Sequence, residues 1–414
     1  MDWKFTQFFA DQNVSEKELP KQIITSLRFD ITGELLALGD QSGRLIIFSQ
    51  QPEPSSKKGI IGTHYLCEFQ SHVKEFDCLK SVDIEEKINC IEWIKPEKSK
   101  RFLLTCNDKT VKLWKISRKA IRTTPRGAEP RLEIPPLEEV EEAFCPSLKR
   151  SFANLHTYHI NSISSSIDGE RFLTSDDFRV NLWHIESPKT CFNVVDVEQP
   201  ETPEVITAAQ FSPSFDHSFV YATSKGVVNL VDTRVTAKSS TPTLVLEDKF
   251  PASKRNFFTD FISSLKDLCF ANDGTIVTRD YLTLKVWSLA QPNKPLEVYN
   301  IYEPLKSKLD YIWENDLIYD KFTVSASADS NFLLTGLYDN TFHIVDRKNQ
   351  TNTQFQLNFN KKTIAKKIPT NYFEMLPDTY DFESKTSRGA FNPKMNCLAI
   401  TSKNNLFIYN GIHP

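Results

Sequence analysis

A polar turn followed by a run of alternating apolar and polar residues, closing on an aromatic residue or valine, recurs seven times along the 414-residue chain. The copies read DQSGRLIIF (40–48), NDKTVKLW (107–114), DDFRVNLW (176–183), SKGVVNLVD (224–232), RDYLTLKVW (279–287), YDNTFHIVD (338–346) and SKNNLFIY (402–409). Alternation at period two turns every second side chain to one face, the mark of a half-buried strand. Each copy is preceded by two more short runs of the same kind, for example ITSLRFD and ELLALG before the end of the first, ISSLKDLCF and TIVTR before the end of the fifth. One such unit cannot bury its apolar face alone, so the copies must pack on one another.

Three strands per copy and seven copies predict an all-β chain, a seven-bladed β-propeller of the WD40 type, in which each blade has four strands. The copies end 48 to 69 residues apart, against roughly 40–45 in that type, so extra loops are expected to leave the blades. The last copy lacks a fourth strand, and an open edge there would be an aggregation hazard. WKFTQFF (3–9) is expected to supply it and close the ring, which makes residues 1–414 one domain. Residues 49–64 and 347–370 are expected to be surface loops, with KKTIAKK (361–367) a solvated face or, alternatively, a nuclear address or a phosphate-contacting patch.

The remaining composition narrows the function classes. A net charge of −3 and a pI near 6.3 argue against general nucleic-acid binding, which needs clustered excess Lys and Arg. No apolar run approaches the roughly 20 residues of a membrane span, and MDWKFTQFFADQ lacks the basic flank and apolar core of a signal peptide. Eight scattered cysteines without a Cys-x-x-Cys then read as reduced thiols of a cytoplasmic protein, or one that is also nuclear. There is no Walker-type phosphate loop, no G-x-S-x-G and no H-E-x-x-H, so no catalytic residues, cofactor or enzyme activity are expected. The paired carboxylates of SDDF (175–178) and IEEK (84–87) are expected to diverge into turns and solvent. HTYHINSI (156–163) has two histidines three apart, which on an extended lead-in point to opposite faces. They are not expected to share a metal.

Two stretches go beyond a generic propeller. EFDCLKSVDIEEKIN (75–89) and FANLHTYHINSIS (152–164) resemble the two signature segments of the 55 kDa regulatory subunits of protein phosphatase 2A, a WD-repeat family. NDKTVKLWKIS, EVITAAQF, FISSLKDLCF and TRDYLTLKVWSL resemble their counterparts in that family. The resemblance runs from WKFTQFF to SKNNLFIY. It implies a non-catalytic subunit that docks on a helical-repeat scaffold, next to a two-metal catalytic subunit. Phosphoserine and phosphothreonine substrates with basic flanks would be selected through an acidic groove on the top face. Residue by residue, Glu85, Glu86, Asp177 and Glu204 match the acidic groove, and Tyr158 and His159 lie in the signature beside it. Thr202 stands where the family has leucine, followed by Pro203, and Gln41 stands where a lysine is expected; both departures bear on substrate preference.

The resemblance also implies that the insert at 118–150, between the second and third blades, forms a hairpin arm toward the scaffold. Its apolar residues are Leu132, Ile134, Leu137, Val140 and Phe144, and the arm is shorter than in the family. Pro125, Pro130, Pro135 and Pro136 favour a plain surface loop instead. The rival function is a generic WD-repeat interaction scaffold, such as a ubiquitin-ligase substrate receptor, which needs neither the 75–89 segment nor the arm.

Overall fold

The computed structural model describes residues 2–10, 22–52, 60–78, 81–97, 100–123, 139–153, 155–197, 204–234, 242–248, 257–301, 303–357, 366–368 and 380–412. Seven antiparallel sheets of four or five strands form seven blades. Their innermost strands are Ile24–Phe29, Cys90–Glu97, Ser162–Ser165, Ile206–Phe211, Asp267–Phe270, Val324–Ala326 and Arg388–Phe391, for blades one to seven. Each touches the next in that order, and the seventh touches the first. The second and third strands of each blade are the runs that the repeats predict, and both faces of their middle residues are covered: Leu35–Asp40 and Cys397–Ser402 are buried throughout. The core therefore lies in seven wedges between neighbouring blades, such as Leu45, Ile47, Trp93 and Leu103 between blades one and two.

Ring closure follows the expectation. Asp2–Phe9 pairs antiparallel with Asn405–Ile412 as the outer strand of blade seven. Its aromatic residues lock it down: Phe8 lies 5.0 Å from Phe407 and Phe9 4.9 Å from Phe48 of blade one. Polar bonds cross the seam as well, with Thr63 N–H donating to Gln7 Oε1 (2.6 Å) and Asn410 Nδ2 donating to the Ile61 carbonyl (3.2 Å).

Several local expectations are corrected. Both ends of 49–64 are strand rather than loop: Arg44–Pro52 and Ile61–Gln70 pair as the outer hairpin of blade one, with Gln50 opposite Thr63, and residues 53–59 lie outside the described residues. Within 347–370, Thr351–Gln356 is the outer strand of blade six, and Lys366–Ile368 adds a fifth strand. ISSLKDLCF is only partly strand; a helix over Phe257–Ser263 precedes Asp267–Phe270. Further short helices span Glu303–Lys308, Leu309–Glu314 and Leu317–Tyr319. The insert belongs to blade two itself. Val111–Thr123 and Glu139–Phe152 pair from Val111↔Phe152 out to Thr123↔Glu139, whereas the neighbouring strand Lys100–Cys106 covers only Val111–Ile116. Ser117–Thr123 and its partner therefore project beyond the blade as a two-stranded hairpin. Pro125, Pro130, Pro135 and Pro136 lie outside the described residues, in the connection between the two strands. No helix among the described residues is long and apolar enough to cross a membrane.

Candidate protein-binding face

Segments that lead from the outer strand of one blade to the inner strand of the next all emerge on the same end of the ring. Residues 71–89, 155–161, 257–266 and 303–323 therefore crowd one face, called the top here.

His156 and His159 separate completely. His156 is buried and bonds Asp176 Oδ2 through Nδ1 (2.8 Å) and Thr174 Oγ1 through Nε2 (2.7 Å). Trp183 Nε1–H donates to the same Thr174 oxygen (2.9 Å), and Asp176 Oδ1 accepts the backbone N–H groups of Phe178 (3.0 Å) and Arg179 (2.8 Å). An ionised carboxylate only accepts, so Nδ1–H of His156 donates to Asp176. Together these bonds offset the burial of Asp176 and hold its carboxyl below the usual carboxylate range. His159, with a side chain 68% exposed, instead pairs with Asp108 (3.1 Å). Tyr158 beside it packs edge-on to Phe178 at 4.8 Å. The adjacent carboxylates Asp176 and Asp177 diverge as expected, one to the core and one to the surface.

Asp177 belongs to a repeated device. Asn161, just before the inner strand of blade three, donates Nδ2–H to Asp177 (2.7 Å) and to the Ile206 carbonyl of blade four (3.3 Å). Asn89 does the same one blade earlier, to Asp108 (2.8 Å) and to the Ile160 carbonyl (3.2 Å). Each asparagine thus fixes a top-face carboxylate and ties its blade to the next.

Asp177 and Asn161 open on a groove of about 930 Å³ that runs over blades three to six. The helix Phe257–Ser263 and the segment Leu317–Tyr319 form its walls, and Phe261 packs on Trp313 behind it (4.6 Å). Glu204 stands at the rim, paired with the groove residue Lys225 (3.4 Å). Glu85 and Glu86 do not line this groove. They follow the hairpin Glu75–Asp77/Val82–Ile84 over blades one and two, where Gly43 lets the chain approach closely. Gly43 has φ +79°, and a Cβ there would sit 2.3 Å from the His72 carbonyl and 2.7 Å from that of Glu86. Thr202 and Pro203 lie outside the described residues. Gln41 is half-buried in the first blade's turn.

Five groove residues are missed by the sequence reading: Lys225, Lys266, Lys285, Lys306 and Lys321. The groove is thus mixed in charge rather than acidic. Lys285 meets Asp248 (3.3 Å) and Lys306 meets Glu303 (2.9 Å). Lys266 donates to the Ile318 carbonyl (2.7 Å), and Lys321 donates to Asn161 Oδ1 (3.0 Å). Burial, and secondarily Lys321, lower the Lys266 ammonium to about 8, against the opposing pull of Asp320. Lys321 is open to water yet crowded by protein, and burial lowers it too. Superposing the seven copies would find Lys266, which, like Asn89 and Asn161, directly precedes an inner strand.

On the hairpin of blade two, Phe144 is half-buried. It packs on the core wedge between blades one and two and lies under the Arg118 guanidinium (5.1 Å). Val140 pairs with Arg122 in the hairpin register. Leu132, Ile134 and Leu137 lie outside the described residues. Among the described residues no three His, Cys, Asp or Glu side chains converge as a metal site.

A family model described as "WD domain, G-beta repeat" matches residues 148–184. That span starts in the outer strand of blade two and ends with the third strand of blade three, so it is offset by one strand from the blade and contains the whole Trp183–Thr174–His156–Asp176 chain. The match and the closed ring together make this chain a seven-bladed β-propeller that carries a WD-type repeat.

Proposed function

We propose that the chain is the non-catalytic, substrate-specifying member of a heterotrimeric serine/threonine phosphatase of the 2A type. The observation that carries the reading is that both signature-like segments, 75–89 and 152–164, come to the top face, and that the second ends at the Asn161–Asp177 pair on an open groove. A rigid carboxylate at a groove wall attracts basic residues flanking a phosphosite, which raises on-rate and fixes register more than it adds raw affinity. The hairpin beyond blade two supports a second contact, with a helical-repeat scaffold. The hydrolytic metals would belong to the separate catalytic chain.

The test is affinity capture of the tagged full chain from its native lysate, with quantitative mass spectrometry. A helical-repeat scaffold and a two-metal phosphatase recovered in amounts comparable to the bait are the expected result. Recovery of cullin-type ligase components without a phosphatase would overturn the reading in favour of a generic interaction scaffold.

A further inference from the structure

We propose that Lys266 and Lys321 form an oxyanion subsite in the top groove, which takes the phosphate of a phosphorylated residue or the carboxylate of an acidic one in a bound peptide. The inference rests on the reading of the groove as a peptide site.

The five groove lysines divide in two. Lys225, Lys285 and Lys306 each have a carboxylate partner, Glu204, Asp248 and Glu303. Among the described residues, Lys266 and Lys321 form no salt bridge: their ammonium groups donate to neutral oxygens, the Ile318 carbonyl and Asn161 Oδ1. Asp320 and Asp280 act on Lys266, and Asp177 and Asp267 on Lys321, only through space; Asp267 itself accepts the Val324 N–H (2.8 Å). An ammonium carries three donors, so both retain unused ones on the groove side. The nearby carboxylates are already engaged. Asp320 takes Lys385 and the Tyr338 hydroxyl, Asp177 takes Asn161 (2.7 Å), and Asp280 accepts the N–H groups of Leu282 and Thr283 (2.9 and 2.6 Å). The two like charges line one concave wall, and the largely buried Lys266 ammonium is disfavoured first by its burial and then by the Lys321 charge. An oxyanion between them relieves both costs and adds charge-assisted hydrogen bonds. The shared chemistry is a tetrahedral phosphate monoester or a planar carboxylate, and the two sources can be told apart.

Fluorescence anisotropy of the full chain with three otherwise identical, neutral-flank peptides tests this, the central residue being phosphoserine, glutamate or serine. The phosphoserine peptide is expected to bind at least about tenfold more tightly than the serine peptide, the scale of one charge-assisted bond. That preference should vanish in the double variant Lys266→Gln/Lys321→Gln and persist in Lys306→Gln, which alters a paired lysine of the same groove. A glutamate peptide that matches the phosphopeptide assigns the site to acidic side chains, and one that matches serine assigns it to phosphate. Inorganic phosphate at fixed ionic strength should displace the phosphopeptide from the unmodified chain, a readout that no folding defect can mimic. Equal binding of all three peptides, or an unchanged preference in the double variant, overturns the subsite. Repeating the series with a basic flank separates it from the phosphatase reading. Anion preference without any gain from the flank would leave the subsite and remove the basic-flank selection, and the converse would remove the subsite alone.

Discussion

His156 donates its Nδ1 proton to Asp176 at 2.8 Å, with side chains only 2% and 1% exposed. This bond is the inner link of a chain that runs from the Trp183 indole through Thr174 to a carboxylate that in turn holds the backbone N–H groups of Phe178 and Arg179. It fixes the turn from which Asp177 projects, so a core bond sets the position of a groove carboxylate. His156→Ala would leave the Thr174 hydroxyl and Asp176 partly unsatisfied in the core, at a cost of about 2–3 kcal/mol. His159→Ala, on the surface three residues on, should change stability by less than about 0.5 kcal/mol. Urea denaturation of both variants measures the contrast, and similar midpoints would contradict it.

The seam between the two ends of the chain is the ring's exposed point. Removing residues 2–9 would strip Asn405–Ile412 of its partner and uncover Phe407, which Phe8 now covers at 5.0 Å. A bare edge flanked by aromatic residues invites strand addition. The truncated chain is expected to melt at lower temperature and to scatter light on mild heating, whereas the full chain stays clear. An unchanged melting curve would show that the seventh blade holds with three strands.

Two buried histidines make stability depend on pH. Burial lowers His72 to about 3 and His343 to about 4, from the ordinary 6.5. Below pH 6.5 the unfolded chain takes up protons that the native chain refuses, so stability is full above that pH and falls as pH falls toward the native values. Each histidine contributes a loss of about 1.4 kcal/mol per pH unit in this window. Urea denaturation at pH 7.5 and 5.5 should differ by about 2–3 kcal/mol from these two groups. His72→Gln should reduce the difference by about half, and a flat profile would mean that both histidines titrate normally in the fold.

Asp177→Lys places a cation beside Asn161 and Lys321 in place of the carboxylate. Capture of peptides with basic flanks should drop at least about tenfold, the value of one charge-assisted contact plus new repulsion. Thermal stability should stay near that of the unmodified chain, because the side chain is half-buried and its neighbour Asp176 keeps the turn. Co-purification of the scaffold and the catalytic chain is expected to survive. Loss of co-purification would move Asp177 from the substrate face to the assembly face.

Period-two alternation places third strands such as Thr283–Trp287, while second strands such as Leu35–Asp40 and Ile276–Arg279, covered on both faces, stand out instead as short, mostly apolar runs. Outer strands are harder to read because they pack on one side only: Ser187–Asp196 mixes exposed and half-buried residues along most of its length, and Thr351–Gln356 has the composition of a polar loop. The helices over the groove run to three to seven residues, too short for an amphipathic period to register. The role of His156 is hidden in the sequence because its partners stand 18 and 20 residues away, on the second strand of the next blade and in the turn after it. The groove's lysines are hidden for a similar reason. They come from different blades, and whether a lysine is paired is a property of the ring and not of any segment.

The hairpin of blade two offers the cleanest separation of fold from assembly. Its base, Val111–Ile116, is held by Lys100–Cys106 on one side and by Pro146–Phe152 on the other. Beyond Arg118 and Phe144 the two strands pair only with each other among the described residues, and such a ribbon contributes little to the blade it leaves. Replacing residues 120–142 with a two-residue Asn-Gly turn rejoins Lys119 to its register partner Ala143 in the geometry that such turns favour. Phe144 and Arg118 remain, so the wedge between blades one and two stays packed. The shortened chain is expected to keep its melting temperature within a few degrees and its peptide binding in the top groove, while co-purification of the scaffold and the catalytic chain is lost. Undiminished recovery of both would show that assembly runs through the propeller body and not through the arm.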